Sequence, residues 1–211
     1  MTSAPAATTT AALPTALAEA ATAAGLTVLA RAGWDPAERP GGPPNLPGFT
    51  ASSFGPLFAH VADRCLTAFH GTAPAPPEDG RDTGLVLVSR LGDMATETAV
   101  TGSVDRGTKA SPLLFYQSVP SAVLGVVSAR WGLGGPVICI SPAGDPWAEG
   151  LELAGLLAED GSARDVLVVL VELGVDEGEP DSAEALLVRA AARAGGGPEE
   201  STAARPEGVA E

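Results

Sequence analysis

Apolar residues along the chain follow two distinct rhythms. The first recurs every three or four positions. Phe54, Leu57, Phe58, Val61, Cys65, Leu66 and Phe69 make one stripe, the pattern of a helix that turns a single face to a core. Ser52 or Ser53 stands where a cap belongs and Gly71 follows the end. The second rhythm is a near-continuous apolar run: Gly84–Ser89 (GLVLVS), Val137–Ser141 (VICIS) and Val166–Leu173 (VLVVLVEL). Runs of this kind predict strands buried on both faces, as in a parallel sheet covered by helices. Leu26–Arg31 (LTVLAR) alternates and predicts a first strand.

Other segments fill the space between these strands. Leu13–Ala24 predicts a short Ala-rich helix, with Leu13 and Leu17 spaced by four, and Gly92–Gly107 a short helix and a turn. Val119–Trp131 predicts a helix whose small residues, Ala122, Gly125, Ser128 and Ala129, allow close packing; Gly132–Pro136 breaks it. Asp145 caps a further helix with Pro146 at its first position, running to about Glu159. Ser182–Ala194, rich in Ala, Leu and Arg, predicts a last helix. Pro36, Pro40, Pro43, Pro44 and Pro47 forbid regular structure in Gly33–Gly48, and Thr72–Asp82 is a second, Pro/acidic loop. Strands alternating with helices predict an α/β domain with a mostly parallel mixed sheet flanked by helices. The expected organisation is a flexible or weakly helical N-terminus (1–24), one domain (25–194) and a disordered Gly/Pro/Glu-rich tail (195–211).

Composition narrows the function classes. The 211 residues are 45% hydrophobic but only 4% aromatic, so the core is built from Ala, Val and Leu. With a net charge of −14, the chain lacks the clustered Lys and Arg that a phosphate backbone or an anionic membrane surface requires. Nucleic acid and membrane are therefore not expected partners. Two cysteines, Cys65 and Cys139, cannot form a disulfide framework, and no His/Cys spacing suits a metal. No cofactor is expected. The N-terminus has no basic region followed by a continuous apolar one, and the longest apolar run, Val166–Val171, is too short to span a bilayer. A cytoplasmic location is the expectation.

One stretch carries a more specific signal. Ser111–Pro136 reads SPLLFYQSVPSAVLGVVSARWGLGGP. Ser111, Pro112 and Phe115, then Val119 and Gly125, then the Gly132, Leu133, Gly135 and Pro136 turn resemble, in order, a segment of β-ketoacyl synthases. The resemblance covers roughly residues 50–174, the N-terminal half of that family, and implies a thiolase-like half-domain. In the family the strand after Gly-Pro ends at a tight elbow carrying a cysteine at a helix N-terminus. There the helix lowers the thiol pKa and free N–H groups stabilise an oxyanion. Counted without gaps from Gly135 and Pro136, that cysteine falls on Gly144. The helix start at Asp145 and Pro146 is kept; the nucleophile is not.

The resemblance therefore implies a ketosynthase-like subunit without acyl-transfer chemistry, of the chain-length-factor kind, in fatty-acid or polyketide-type secondary metabolism. It would assist a complete ketosynthase, and meet acyl carrier protein only through that partner. Family pairing across a two-fold axis would put Val137, Ile138, Cys139, Ile140 and Ser141 near an interface. The family's catalytic histidines belong to a C-terminal half absent from this sequence, which is about half the length of a complete ketosynthase. His60 and His70 lie too early to replace them and are expected on solvated surface. Cys139 is read as a buried core residue of its strand, or alternatively as the thiol of a diverged acyltransferase served by a base from a partner subunit. Cys65 is read as core. Ser141 has no base in view, and Gly132–Gly135 is no phosphate loop because no Lys follows it.

Overall fold

The apolar runs assemble side by side into one sheet. The structure, a computed structural model, describes residues 13–108, 111–175 and 178–191. Its strands are β1 (Leu26–Gly33), β2 (Thr83–Val88), β3 (Val137–Ile140), β4 (Asp165–Glu172) and β5 (Ser182–Ala190), in the order β1-β5-β4-β2-β3. β2 pairs in parallel with both β3 and β4, whereas β5 runs antiparallel between β4 and β1. The mixed sheet with helices on both faces is the α/β arrangement that the sequence predicts, but only β3-β2-β4 is parallel; the β4-β5-β1 half is antiparallel, so the sheet is not mostly parallel as expected.

The two-residue period of the strands divides the core in two. Leu85 and Leu87 of β2, Leu167, Val169 and Val171 of β4, and Ala185 and Leu187 of β5 face one side. There they meet α2 (Phe54–His70) and α6 (Ser121–Trp131), together with Leu46 and Phe49 of the Pro-rich loop. Val86, Val88, Val166, Val168, Leu186 and Val188 face the other side, against α1 (Thr15–Ala23) and α7 (Pro146–Glu159). α2 and α6 are pinned at their rims, where Trp131 Nε1 donates to Asp63 at 2.7 Å and Arg130 pairs with the same carboxylate. The expected caps take a slightly different form. Ser52 Oγ accepts the Phe54 N–H at 3.2 Å, while the Ser53 hydroxyl donates to Asp181.

Smaller elements complete the chain. A one-turn α3 (Pro77–Gly80) interrupts the second loop, α4 (Met94–Asp105) occupies the expected 92–107 segment, and α5 (Pro112–Gln117) forms within the Ser-Pro motif, where no helix is predicted. Among the described residues no helix is long and apolar enough to cross a membrane. The low-complexity 1–12 segment and the tail 195–211 lie outside the described residues.

Three expectations are overturned. The helix predicted at Ser182–Ala194 is instead the strand β5, next to the middle of the sheet. Its Ala and Leu residues have high helix propensity, but alternate side chains pack into opposite core layers and both backbone edges are paired, which outweighs a preference of a few tenths of a kcal/mol per residue. The Val137–Ser141 strand is not buried. Among the described residues β3 is an edge strand with β2 as its sole neighbour, and Val137 is 47% exposed. Finally, the His70 side chain is not solvated: it is 2% exposed under the end of α2.

Candidate functional site

The carboxyl ends of β2, β3 and β4 lie together, the place where open α/β sheets put their ligand sites. β2 leads to Ser89 and Arg90, β4 ends on Glu172, and β3 leads through Ser141–Gly144 into α7. Side chains and backbone tie these ends to each other. Ser89 N–H donates to Ile140 O at 3.1 Å, Ser141 Oγ to Arg90 O at 2.7 Å, and Arg90 N–H to Glu172 Oε1 at 2.9 Å.

Gly144 sits at the elbow between β3 and α7, exposed. Asp145 caps α7 by accepting the Ala148 N–H at 2.7 Å, and Pro146 takes the first helical position, where no N–H is needed. The Arg90 guanidinium donates to Gly144 O at 3.0 Å. Glu149, from the first turn of α7, reaches back past the cap: one carboxylate oxygen accepts the Gly144 N–H and the other the Ala143 N–H at 3.2 Å. A Cβ at position 144 would meet only this carboxylate, at 3.0 Å. The elbow thus has a helix start and converging amides, but no nucleophile, and a carboxylate of the chain holds two of those amides. The helix start expected at Asp145 and Pro146 is found there, with Gly144 just before it. Sequence reasoning misses Arg90, Glu172 and Glu149, although Glu149 leaves a readable trace as an acidic residue four positions after a capping Asp.

Cys139 lies on β3 and is exposed rather than in the core. It lines an open cavity of about 300 Å3 with Ser89, Arg90, Leu91, Pro120 and Ser141. Partial burial raises its thiol pKa, and a position inside a strand gives it no helix N-terminus to oppose that shift. No histidine lines the cavity. His60 stacks edge-on against Trp34 at 5.5 Å, and its pKa is lowered by burial and then by Arg64 and Arg39. His70 belongs to a different cluster, near the start of β4. Its Nδ1 is 3.9 Å from Asp79, its Nε2 is buried without a hydrogen-bond partner among the described residues, and burial lowers its pKa. There Asp165, fully buried, is held by Arg189 through Nη2 at 2.8 Å and through Nε, with Arg164 at 3.3 Å. Cys65 is core as expected, and burial pushes its thiol up to about 12.

Ser141 sits at the rim of the cavity with its hydroxyl committed to Arg90 O. Gly132–Gly135 lies at the opposite end of β3, where Gly134 N–H donates to Gly80 O and Gly135 N–H to Thr83 O.

Comparison with known proteins extends this picture. No curated protein matches the chain. Among solved structures, a ketosynthase (ApeO) in complex with its chain length factor (ApeC) from Xenorhabdus doucetiae superposes with a TM-score of 0.60 at 20% identity, over 80% of each chain. The ishigamide ketosynthase/chain length factor superposes with a TM-score of 0.57 at 15% identity, covering 78% of this chain and 62% of that one. A β-ketoacyl synthase from Burkholderia phymatum STM815 gives 0.57 at 14% identity, covering 78% and 59%. At these identities the likeness is one of fold, and this chain spans about three-fifths of the length of the latter two. At the level of sequence, residues 67–193, more than half of the chain, match the family described as β-ketoacyl synthase, N-terminal domain, and the chain belongs to that family.

Proposed function

We propose that the chain is a non-catalytic β-ketoacyl synthase-like subunit, working in fatty-acid or polyketide-type secondary metabolism beside a complete ketosynthase whose acyl tunnel it shapes or stabilises. The observation that carries this reading is Gly144: the elbow that would present a nucleophile presents none, and its amides are bound to Glu149. The surface beside the elbow is in keeping with it. The exposed large apolar residues fall between Leu91 and Val137, apart from Phe69, Leu156 and Val175. They include Leu113, Tyr116, Val119 and Phe115, which is 66% exposed. They lie on α4, α5, their flanking loops and β3, elements linked through the packing of α4 on α5, α5 on α6 and α6 on β3, and exposed apolar residues gathered in this way are in keeping with a protein interface. Val137–Ser141 is the proposed centre of that contact, and acyl carrier protein would be met through the partner.

The alternative, an acyltransferase using Cys139 and a partner's base, has the accessibility of that thiol in its favour and its raised pKa against it. Co-expression with ketosynthases encoded beside this chain's gene tests the main proposal. The expected result is a stable complex, weakened by Phe115→Asp or Val137→Arg, with altered product length when the chain is omitted. A monodisperse lone monomer that leaves every candidate's activity unchanged would overturn it.

A further inference from the structure

We propose that Glu149 is a built-in anion of the elbow, occupying the amide donors that face position 144, so that the site is closed to a thiolate or an oxyanion independently of the missing cysteine. The proposal rests on the reading of Gly144 as the vacated nucleophile position. It adds that the loss is double and that the second change is an electrostatic one.

Three observations converge. The Glu149 carboxylate does not cap its own helix, because Asp145 already does so through the Ala148 N–H. Instead it reaches to Ala143 and Gly144, both upstream of the helix. These are the donors that would point at an acyl oxygen if position 144 carried an acylated side chain. Oxygen Oε1 also stands 3.0 Å from the place a Cβ would take at 144, with no other atom of the described residues beyond the two chain neighbours within 4 Å. A restored side chain would therefore begin its course against a carboxylate. The charged groups around it are Glu149, the capping Asp145, and Arg90, whose guanidinium donates to the Gly144 carbonyl. Arg90 is thus committed to the carbonyl side of the peptide, while the amide side is met by Glu149. A like charge within about 4–6 Å disfavours an ionised thiol, and with the site open to solvent the effect expected is about one pKa unit, a tenfold change in thiolate near neutrality.

The test uses the full chain with Cys139→Ser to remove the exposed thiol, Cys65 being buried and unreactive. Gly144→Cys is prepared with Glu149 intact and with Glu149→Gln, and the rate of alkylation by iodoacetamide is followed against pH. The expected result is a thiol pKa about one unit lower, and labelling near pH 7 about tenfold faster, when Glu149 is replaced. Equal thiol pKa values, within about 0.3 unit, would overturn the proposal, since a merely structural brace would change the melt and leave the titration unmoved. A second measurement needs no new thiol. In Glu149→Ala the Ala143 and Gly144 amide protons should shift and exchange faster with solvent than in the unaltered chain, because their carboxylate acceptor is gone. Amides left unchanged by that substitution would overturn it equally. Both readouts are made on the lone chain. Failure here leaves the partnership with a ketosynthase to its own test, and absence of a partner leaves this result standing.

Discussion

Substituting Gly135 by alanine should cost far more than any other single methyl group added to the Gly132–Pro136 turn. An alanine Cβ at 135 would lie 2.6 Å from both the carbonyl carbon and oxygen of Thr83 and 2.7 Å from the Gly84 nitrogen. All three are backbone atoms of β2, so no side-chain rotation relieves the clash; ordinary contact needs about 3.5 Å or more. The lead-in to β3 must move away from β2 by about 1 Å. That movement strains the Gly135 N–H bond to Thr83 O (3.0 Å) and the Leu85 N–H bond to Pro136 O (2.8 Å). Overpacking costs about 1–3 kcal/mol, and weakening two backbone hydrogen bonds adds roughly 1–2. A loss of about 2–5 kcal/mol is expected, a large part of the stability of a domain this size. Gly132→Ala supplies the contrast: its φ of +70° disfavours a side chain, but the nearest atom is Pro74 Cβ at 4.0 Å, so about 1–2 kcal/mol is expected. Gly125→Ala, mid-helix in α6 with nothing within 4 Å, should be neutral or stabilise by up to about 1 kcal/mol. Urea denaturation followed by circular dichroism ranks the three. Gly135→Ala within about 1 kcal/mol of the parent protein would refute the reasoning.

Other outcomes follow from the charged cluster and the cysteines. Arg189→Met should destabilise by roughly 2–3 kcal/mol in the same urea assay, below the full cost of breaking a buried pair because the Arg189 side chain is 38% exposed; Asp165, at 0%, would keep only Arg164. His70 and His60 both have folded pKa values below their ordinary 6.5, so the unfolded chain takes up protons first. Stability should therefore hold above about pH 6.5 and fall as the pH drops below it, by at most about 1.4 kcal/mol per pH unit per group, and His70→Gln should flatten the melting temperature measured between pH 7.5 and 5.5. Under native conditions iodoacetamide should label Cys139 more slowly than a free cysteine, a malonyl or acyl thioester analogue should add no mass there, and Cys65 should stay unlabelled until the protein is unfolded, all read by intact-mass spectrometry.

Which parts of this molecule could be read from its sequence depends on whether the deciding contact was local. The stripe on α2, the breaker at Gly132 and the Asp145–Pro146 helix start all express short-range rules and appear where expected, except that Phe69, the last residue of the stripe, is 38% exposed. The 182–190 segment does not, because its strand character comes from two neighbours at long range, Leu26–Gly33 on one side and Asp165–Glu172 on the other. VICIS looks as buried as VLVVLVEL by composition; the difference is that one strand has a neighbour on each side and the other has one. The same limit applies to the site. Gly144 is found by counting from a motif, whereas Arg90 and Glu172 come from separate strands and meet only once the sheet is assembled. His70 sits just where its helix ends, which suggests solvent, yet Asp79 and the Asp165 cluster close over it from other parts of the chain.

The two edges of the sheet differ in a way that bears on the proposed partnership. Edge strands expose unpaired backbone groups, and proteins that stay single blunt them with charge, proline or cover. β1 carries Arg31, paired with Glu184 on β5, and continues into the Pro-rich loop. Among the described residues β3 is protected only by its shortness: its four residues are Val137, Ile138, Cys139 and Ile140, without a charge or a proline among them. The elements that carry the exposed apolar residues of α4 and α5 are linked to this edge, α4 packing on α5, α5 on α6 and α6 on β3. An edge left this plain on a chain of net charge −14 makes better physical sense as one that another subunit covers. Apolar contact and strand pairing are the forces that work at short range, and a partner with basic residues around the same contact would gain from the long-range charge. On the proposed function, Gly144 and β3 would be two ends of one arrangement: the strand would supply the contact, and the elbow it leads to, whose amides are bound to Glu149, would leave the chemistry to the other subunit.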